Sequence, residues 1–284
     1  MSIHNTRLRV LCACVTAAVC LLALGATASA DDGPTTPRAV PLARALPRTF
    51  ASYDALLAAA TAVAGDQAAL STRLQLAHAE EDLARSILAG VSDPRIRGGL
   101  VRAEANVSDE AALVALRQEV AAAKSAETQL IAAGASPYLP APTWQRPLAG
   151  EISQPFGPTS LWLEPARLYH GVYYGHFHDG LDIKAMAGTA IVAPARGRVV
   201  FAGRMADGAE VVVLAHDDGL VSLYAHLEDG PLAPTVKAGD IVLAGERIGS
   251  VGLTGLTTGY HLHWAVYKNG QPIDPLSTLS SPGG

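Results

Sequence analysis

The sequence predicts an α+β, multi-domain protein: an N-terminal helical hairpin or coiled-coil region, then a mostly antiparallel β-domain of sandwich or barrel type. Three observations predict it. Between residues 51 and 134, apolar residues recur at helical spacing. From Leu148 onward that period vanishes, and short β-branched runs alternate with glycine-containing turns. Residues 135–147, between the two textures, carry Pro137, Pro140, Pro142 and Pro147, the composition of a semi-rigid linker. At 284 residues, with 49% hydrophobic and 17% charged side chains, the chain suits one or two globular domains.

The first thirty residues read as a secretory signal peptide. Arg7 and Arg9 precede an apolar run, Val10–Leu24, too short to span a bilayer, and Ala28-Ser29-Ala30 supplies small residues before Asp31. Cys12, Cys14 and Cys20, the three cysteines, all fall in this segment. The expected mature chain therefore has neither disulfides nor thiolate ligands, so any metal must be held by His and carboxylates. No stable membrane anchor is expected after cleavage, and the expected location is outside the cell or in its envelope, in periplasm or wall. The formal net charge is −5; without Arg7 and Arg9, 19 basic residues face 26 acidic ones, giving −7. No basic stripe is available for nucleic acid or an anionic membrane surface.

Residues 31–50 contain Pro34, Pro37, Pro41 and Pro47 and read as a flexible lead-in. A first helix is expected over Ser52–Ala89, with Leu56, Val63, Leu70, Leu74 and Leu83 near helical spacing, stopped by Gly90, Ser92, Asp93 and Pro94. A second begins near Ser108, with Asp109 and Glu110 where the helix dipole favours them. It carries Leu113, Leu116, Val120, Ala123 and Leu130, and Gly134 closes it. An antiparallel hairpin over 51–134 follows, read chiefly as a spacer or packing element, and as the candidate surface for a protein partner. The β-domain spans 148–279, followed by a tail at 280–284. Its candidate strands are Ala190–Val192, Arg198–Ala202, Glu210–Ala215, Val221–His226, Ile241–Val242 and Leu262–Tyr267.

Seven of the nine histidines lie between residues 170 and 263, a concentration that points to metal or proton chemistry. In an extended strand, residues i and i+2 share a face, so His261 and His263 project into one site. His178 and Asp182, four apart around Gly180, share a face if extended. Imidazoles with a carboxylate form the ligand set of a catalytic zinc that keeps one position open for water. His176 is an alternative to His178, although the spacing to Asp182 and the intervening Gly180 favour His178. His170 and His176 read as loop residues, and His216 as the cap of a His-Asp-Asp-Gly turn. His226 alone reads equally as core or site.

The motifs His178-Asp179-Gly180-Leu181-Asp182, Tyr224-Ala225-His226-Leu227 and Thr254–His263, in this order, resemble the lysostaphin-type zinc endopeptidases, the M23 or LytM-like family, which cleave peptidoglycan peptides. Gly188–Ala193, Gly197–Val200, Val236–Gly249, Asn269-Gly270 and Asp274-Pro275 fit the rest of the pattern, which covers about residues 148–278. The resemblance implies a LytM-like β-sandwich in which Zn2+ is held by His178, Asp182 and His263. It also implies that His226 and His261 are the two active-site histidines that do not bind metal. It implies secreted, zinc-dependent hydrolysis of stem peptides or cross-bridges, with peptidoglycan peptides as partners. Zinc would ready a water for attack, and His261 and His226 would move protons, the sequence leaving open which is the base. Some family members have lost ligands and act as non-catalytic activators of cell-wall amidases; that regulator is the alternative reading, and the five intact residues count against it. A cupin-type barrel, suggested by His176-Phe177-His178 with Asp182, lacks the later motif that fold requires.

Overall fold

The structure is a computed structural model that describes residues 49–92, 107–135 and 144–279. The expected signal peptide, most of the lead-in, the Pro94 stop, most of the proline linker and the 280–284 tail lie outside the described residues.

Alanine-rich sequence with few breakers gives two long helices, α1 (Tyr53–Ser92) and α2 (Val107–Ala132). Ser52 starts α1: its hydroxyl accepts from the Ala55 N–H at 3.2 Å and its carbonyl from the Leu56 N–H at 3.1 Å. Gly134, at φ 104°, ends α2 where the Ala135 N–H returns to the Leu130 carbonyl. The helices pack antiparallel. Leu74 and Ala77 bury against Leu130 and Ala135, and His78 Nε2 meets Glu127 Oε1 at 2.7 Å.

Among the described residues the strands, numbered in chain order, build one eight-stranded sheet and three two-stranded ones. Across the large sheet run β1 (Ile152–Gln154), β6 (Gly180–Lys184), β13 (His261–Lys268), β10 (Leu220–Ala225), β9 (Glu210–His216), β8 (Gly197–Arg204) and β11 (Ile241–Val242). β14 (Gln271–Ile273) pairs with β13. The small sheets join β7 (Ala190–Val192) to β12 (Arg247–Ser250), β2 (Gly157–Pro158) to β5 (Phe177–His178), and β3 (Arg167–Tyr169) to β4 (Val172–Tyr174). All ladders between these strands are antiparallel. The α+β class read from the sequence is the class observed.

The large sheet is covered on both faces. On one, Leu262, Trp264, Tyr224, Leu214 and Ile183 pack against Ile191 and Ile248 of the β7–β12 pair. On the other, Leu56, Ala60, Val63 and Ala64 of α1 bury against Phe201, Val211, Val213, Leu223 and Tyr267. The described residues all fall in one compact unit, and the first third of α1 belongs to its core. Arg196 clamps the far end of the hairpin: it pairs with buried Asp217 at 2.8 Å and donates to the Gly134 carbonyl at 3.0 Å.

Leu56 is fully buried in this shared core. Leu56→Ala is expected to destabilise the folded unit by about 2–5 kcal/mol through lost burial and a cavity. Urea denaturation followed by tryptophan fluorescence checks this, since Trp264 lies within the large sheet. An unchanged midpoint would mean that α1 does not stabilise the sheet.

His216 departs from its expected role. The turn forms, with the Gly219 N–H donating to the His216 carbonyl at 3.1 Å, but the ring caps nothing. It is buried instead, with Nδ1 2.9 Å from the Arg196 carbonyl and Nε2 2.7 Å from the Ser222 hydroxyl. Asp218 supplies the turn's side-chain acceptor, taking the Leu220 N–H at 3.1 Å. A neutral imidazole has one donor and one acceptor, so His216 is satisfied inside the core, and burial lowers its pKa.

Candidate metal centre

Strand register brings the site together. His263 on β13 stands directly opposite Asp182 on β6, and Ala225 at the end of β10 stands opposite His263 on the other side. Directly opposed residues in an antiparallel pair point to the same face. His178, at the end of β5, enters from outside the large sheet with its ring fully buried. His226 follows β10 at φ 63°, a left-handed conformation rare for a β-carbon-bearing residue. Such strain is held only where the surroundings over-determine it. Here the Thr254 carbonyl, 2.8 Å from His226 Nδ1, and the Gly252 N–H, 2.9 Å from the His226 carbonyl, do so.

Three donor atoms face one another. His178 Nε2 lies 3.1 Å from His263 Nδ1 and 3.2 Å from Asp182 Oδ1, and His263 Nδ1 lies 3.1 Å from Asp182 Oδ1. Ligands about 2.0–2.1 Å from a tetrahedral zinc stand roughly 3.3 Å from each other. The triangle is nearly of that size. The tautomers agree with it: His178 Nδ1 is 3.0 Å from the Pro155 carbonyl, which can only accept, so Nδ1 carries the proton and Nε2 is free to bind a cation. Among the described residues this is the one His/Cys/Asp/Glu group arranged to hold a metal ion. His176, the alternative ligand, is directed elsewhere, its Nδ1 2.8 Å from the Glu164 carbonyl.

Electrostatics favour a cation here. Burial would raise the Asp182 pKa, but hydrogen bonds from His178 and His263 hold it well below the usual carboxylate range. Burial favours a neutral His263, yet the hydrogen bond to Asp182 and the charges of Asp179, Asp182 and Glu164 outweigh it and raise its pKa. His226 is pushed down to about 4, first by burial and then by His263 and His261, against the opposing pull of the Thr254 hydrogen bond. It is neutral at pH 7.

The His226 and His261 rings lie 4.9 Å apart, and His226 lies 6.2 Å from His263. His261 Nδ1 is 2.8 Å from the Gly259 carbonyl, and its Nε2 is 3.6 Å from Asp182 Oδ2. Both rings thus have Nδ1 tied to a carbonyl, which turns Nε2 away from that contact. All four residues other than His178 line a groove of about 320 Å³, whose walls include Leu256, Thr257, Arg167, Asp179 and Tyr267. Its walls also include Tyr53, Asp54 and Leu57 of α1, a contribution that no sequence motif announced.

Three further residues support the site in roles that the sequence did not assign to them. Thr254 anchors His226 through its carbonyl, while its hydroxyl donates to Leu227 and accepts from the Glu210 N–H. Pro155 sets the His178 tautomer. Gly180 leaves room for the His263 ring, since a β-carbon there would sit 2.9 Å from Cε1 and 2.7 Å from the Trp264 carbonyl. The Thr254 role could have been suspected from its place in the third motif; the Pro155 role depends on a carbonyl that has no sequence signature.

Comparison with known proteins gives the arrangement a family. Residues 176–275 match the family model Peptidase family M23. Over 126 residues the chain is 37% identical to the DD-carboxypeptidase/endopeptidase Mpg of Neisseria meningitidis, covering 44% of this chain and 26% of that protein. It is 30% identical over 141 residues to the murein hydrolase activator NlpD of Escherichia coli, covering 49% of this chain and 32% of that one. The chain therefore spans only a quarter to a third of the length of these relatives. The catalytic domain of lysostaphin from Staphylococcus simulans is 30% identical, with 46% of this chain and 93% of that domain covered and a TM-score of 0.39. With the motifs in order along residues 176–275, the chain carries a domain of peptidase family M23.

Proposed function

We propose that this chain is an exported zinc-dependent endopeptidase that hydrolyses peptide bonds in peptidoglycan, in stem peptides or cross-bridges, within the cell envelope or outside the cell. The observation that carries this reading is the near-equilateral triangle of His178 Nε2, His263 Nδ1 and Asp182 Oδ1, with two further histidines, His226 and His261, in the same groove. Bound at that triangle, zinc would lower the pKa of a coordinated water toward neutrality and polarise the scissile carbonyl. His178, Asp182 and His263 are the residues that would hold it. His261 and His226, each with Nδ1 tied to a carbonyl, offer Nε2 to take a proton from the attacking water and return it to the leaving amine. His261, closer to Asp182, is the better placed to take it first. The groove beside the triangle would receive an extended peptide. Export rests on the reading of residues 1–30; among the described residues no helix is long and apolar enough to cross a membrane.

A second reading, a regulator of cell-wall amidases without its own hydrolysis, is favoured by the similarity to the activator NlpD. The α1–α2 hairpin is then the candidate partner surface. One experiment separates the two. Zinc-loaded protein incubated with purified peptidoglycan should release peptides with new amino and carboxyl ends, identified by mass spectrometry. Intact peptides, together with faster cleavage by an added amidase, would replace the peptidase with the regulator.

A further inference from the structure

Asp179 lies between β5 and β6, beside the proposed metal ligand His178, and takes no part in the donor triangle. Its Oδ2 accepts two hydrogen bonds, from the Tyr267 hydroxyl at 2.9 Å and from Arg167 Nη2 at 2.8 Å. These fix the carboxylate, and they leave Oδ1 facing His263 Nε2 at 3.6 Å. A histidine that binds a cation through Nδ1 must carry its proton on Nε2, and Asp179 supplies a carboxylate oxygen on that side of the ring. The Tyr267 hydroxyl is a reliable donor: burial first, then the Asp179 charge, raises its pKa. Tyr267 and His263 stand four residues apart on the same face of β13, so one strand carries both the ligand and the group that aims its carboxylate. On another side the lack of a side chain at Gly180 leaves the ring its place, since a β-carbon there would sit 2.9 Å from Cε1. Arg167 belongs to β3 and lines the groove, which ties a groove wall to the same carboxylate.

We propose that Asp179, held by Tyr267 and Arg167, is a positioning residue: it fixes the orientation and tautomer of His263 and makes that ring a stronger ligand. The proposal rests on the zinc-centre reading above. Hydrogen-bonded partners of metal-bound histidines typically contribute ten- to hundredfold in metal affinity. Asp179→Asn keeps the shape and removes the charge. Zinc affinity, measured on the full chain by competition with a chromogenic chelator, is expected to fall about ten- to hundredfold. The visible absorption of the Co2+-substituted protein should shift with the changed ligand field, a readout that a purely structural role would leave alone. Tyr267→Phe removes one of the two aiming hydrogen bonds without touching the charge. It should weaken zinc binding in the same direction but less, and it decides the matter if Asp179→Asn does not fold. Wild-type affinity in the folded variants, with an unshifted Co2+ spectrum, overturns the positioning role and leaves the zinc centre standing. Failure of the wild-type protein to bind zinc overturns the centre itself.

Discussion

His263→Ala is expected to abolish zinc binding and to reduce hydrolysis by at least about a thousandfold. The argument is electrostatic. Zinc brings a water's pKa from 15.7 to about 7, so losing the metal removes most of the hydroxide available at neutral pH; a thousandfold is a small share of that difference. Removing one corner of the triangle leaves His178 Nε2 and Asp182 Oδ1, 3.2 Å apart, as two ligands where a catalytic zinc uses three. A second effect should accompany the first. Zinc that binds only the folded chain adds its binding free energy to stability, so wild-type protein should melt higher with zinc than after chelation. The variant should lose that increment. Inductively coupled plasma analysis, peptide-release kinetics and thermal melts with and without chelator give the three readings. A variant with stoichiometric zinc and undiminished turnover would show that His263 is not a ligand.

The second large effect concerns the two histidines that stand off the triangle. His261→Ala is expected to retain one zinc per chain and lose about 10²- to 10⁴-fold in kcat/KM, the usual contribution of a positioned proton acceptor. At His226 the backbone decides which substitution is informative. Its φ of 63° disfavours alanine, whereas asparagine tolerates the left-handed region. His226→Asn therefore removes the imidazole with little backbone penalty, and the same range of loss is expected with zinc retained. Zinc content and turnover measured on the same preparations check both variants. If either loses its zinc, that histidine belongs to the ligand set.

The sequence already contained most of the site, because the site is built from strand periodicity. His261 and His263 share a face by alternation alone, and the β10 and β13 strands that carry or precede three of the five residues were recognisable as β-branched and aromatic runs. What alternation cannot report is pairing. That His263 stands opposite Asp182 follows from β6 lying beside β13, two segments separated by more than seventy residues. Strands β1 to β6, β12 and β14 run only two to five residues, too short for a period to declare itself; β7 and β11 are as short and were legible only as β-branched runs beside glycine turns. The α1 stripe of Leu56, Val63, Leu70 and Leu74 was legible as an apolar face, but not what would cover it; the sheet covers Leu56 and Val63, and α2 covers Leu74. His216 was misread for a related reason. Its turn sequence suggested a cap, while its place at the end of β9 sent the ring into the core. The Asp179–Tyr267–Arg167 cluster joins three separate segments and has no local signature.

Strand β13 carries a consequence for how this protein can change over generations. Leu262, Trp264 and Val266 fill one core, while His261, His263 and Tyr267 serve the groove on the reverse side. A single-residue insertion or deletion within it would swap the two sets, sending imidazoles into the apolar layer and an indole into the cleft. The strand has no idle side on which substitutions could accumulate unnoticed. Drift should instead be tolerated at its exposed end, Lys268, and in the Asn269-Gly270 turn beyond it, provided that the turn geometry is kept.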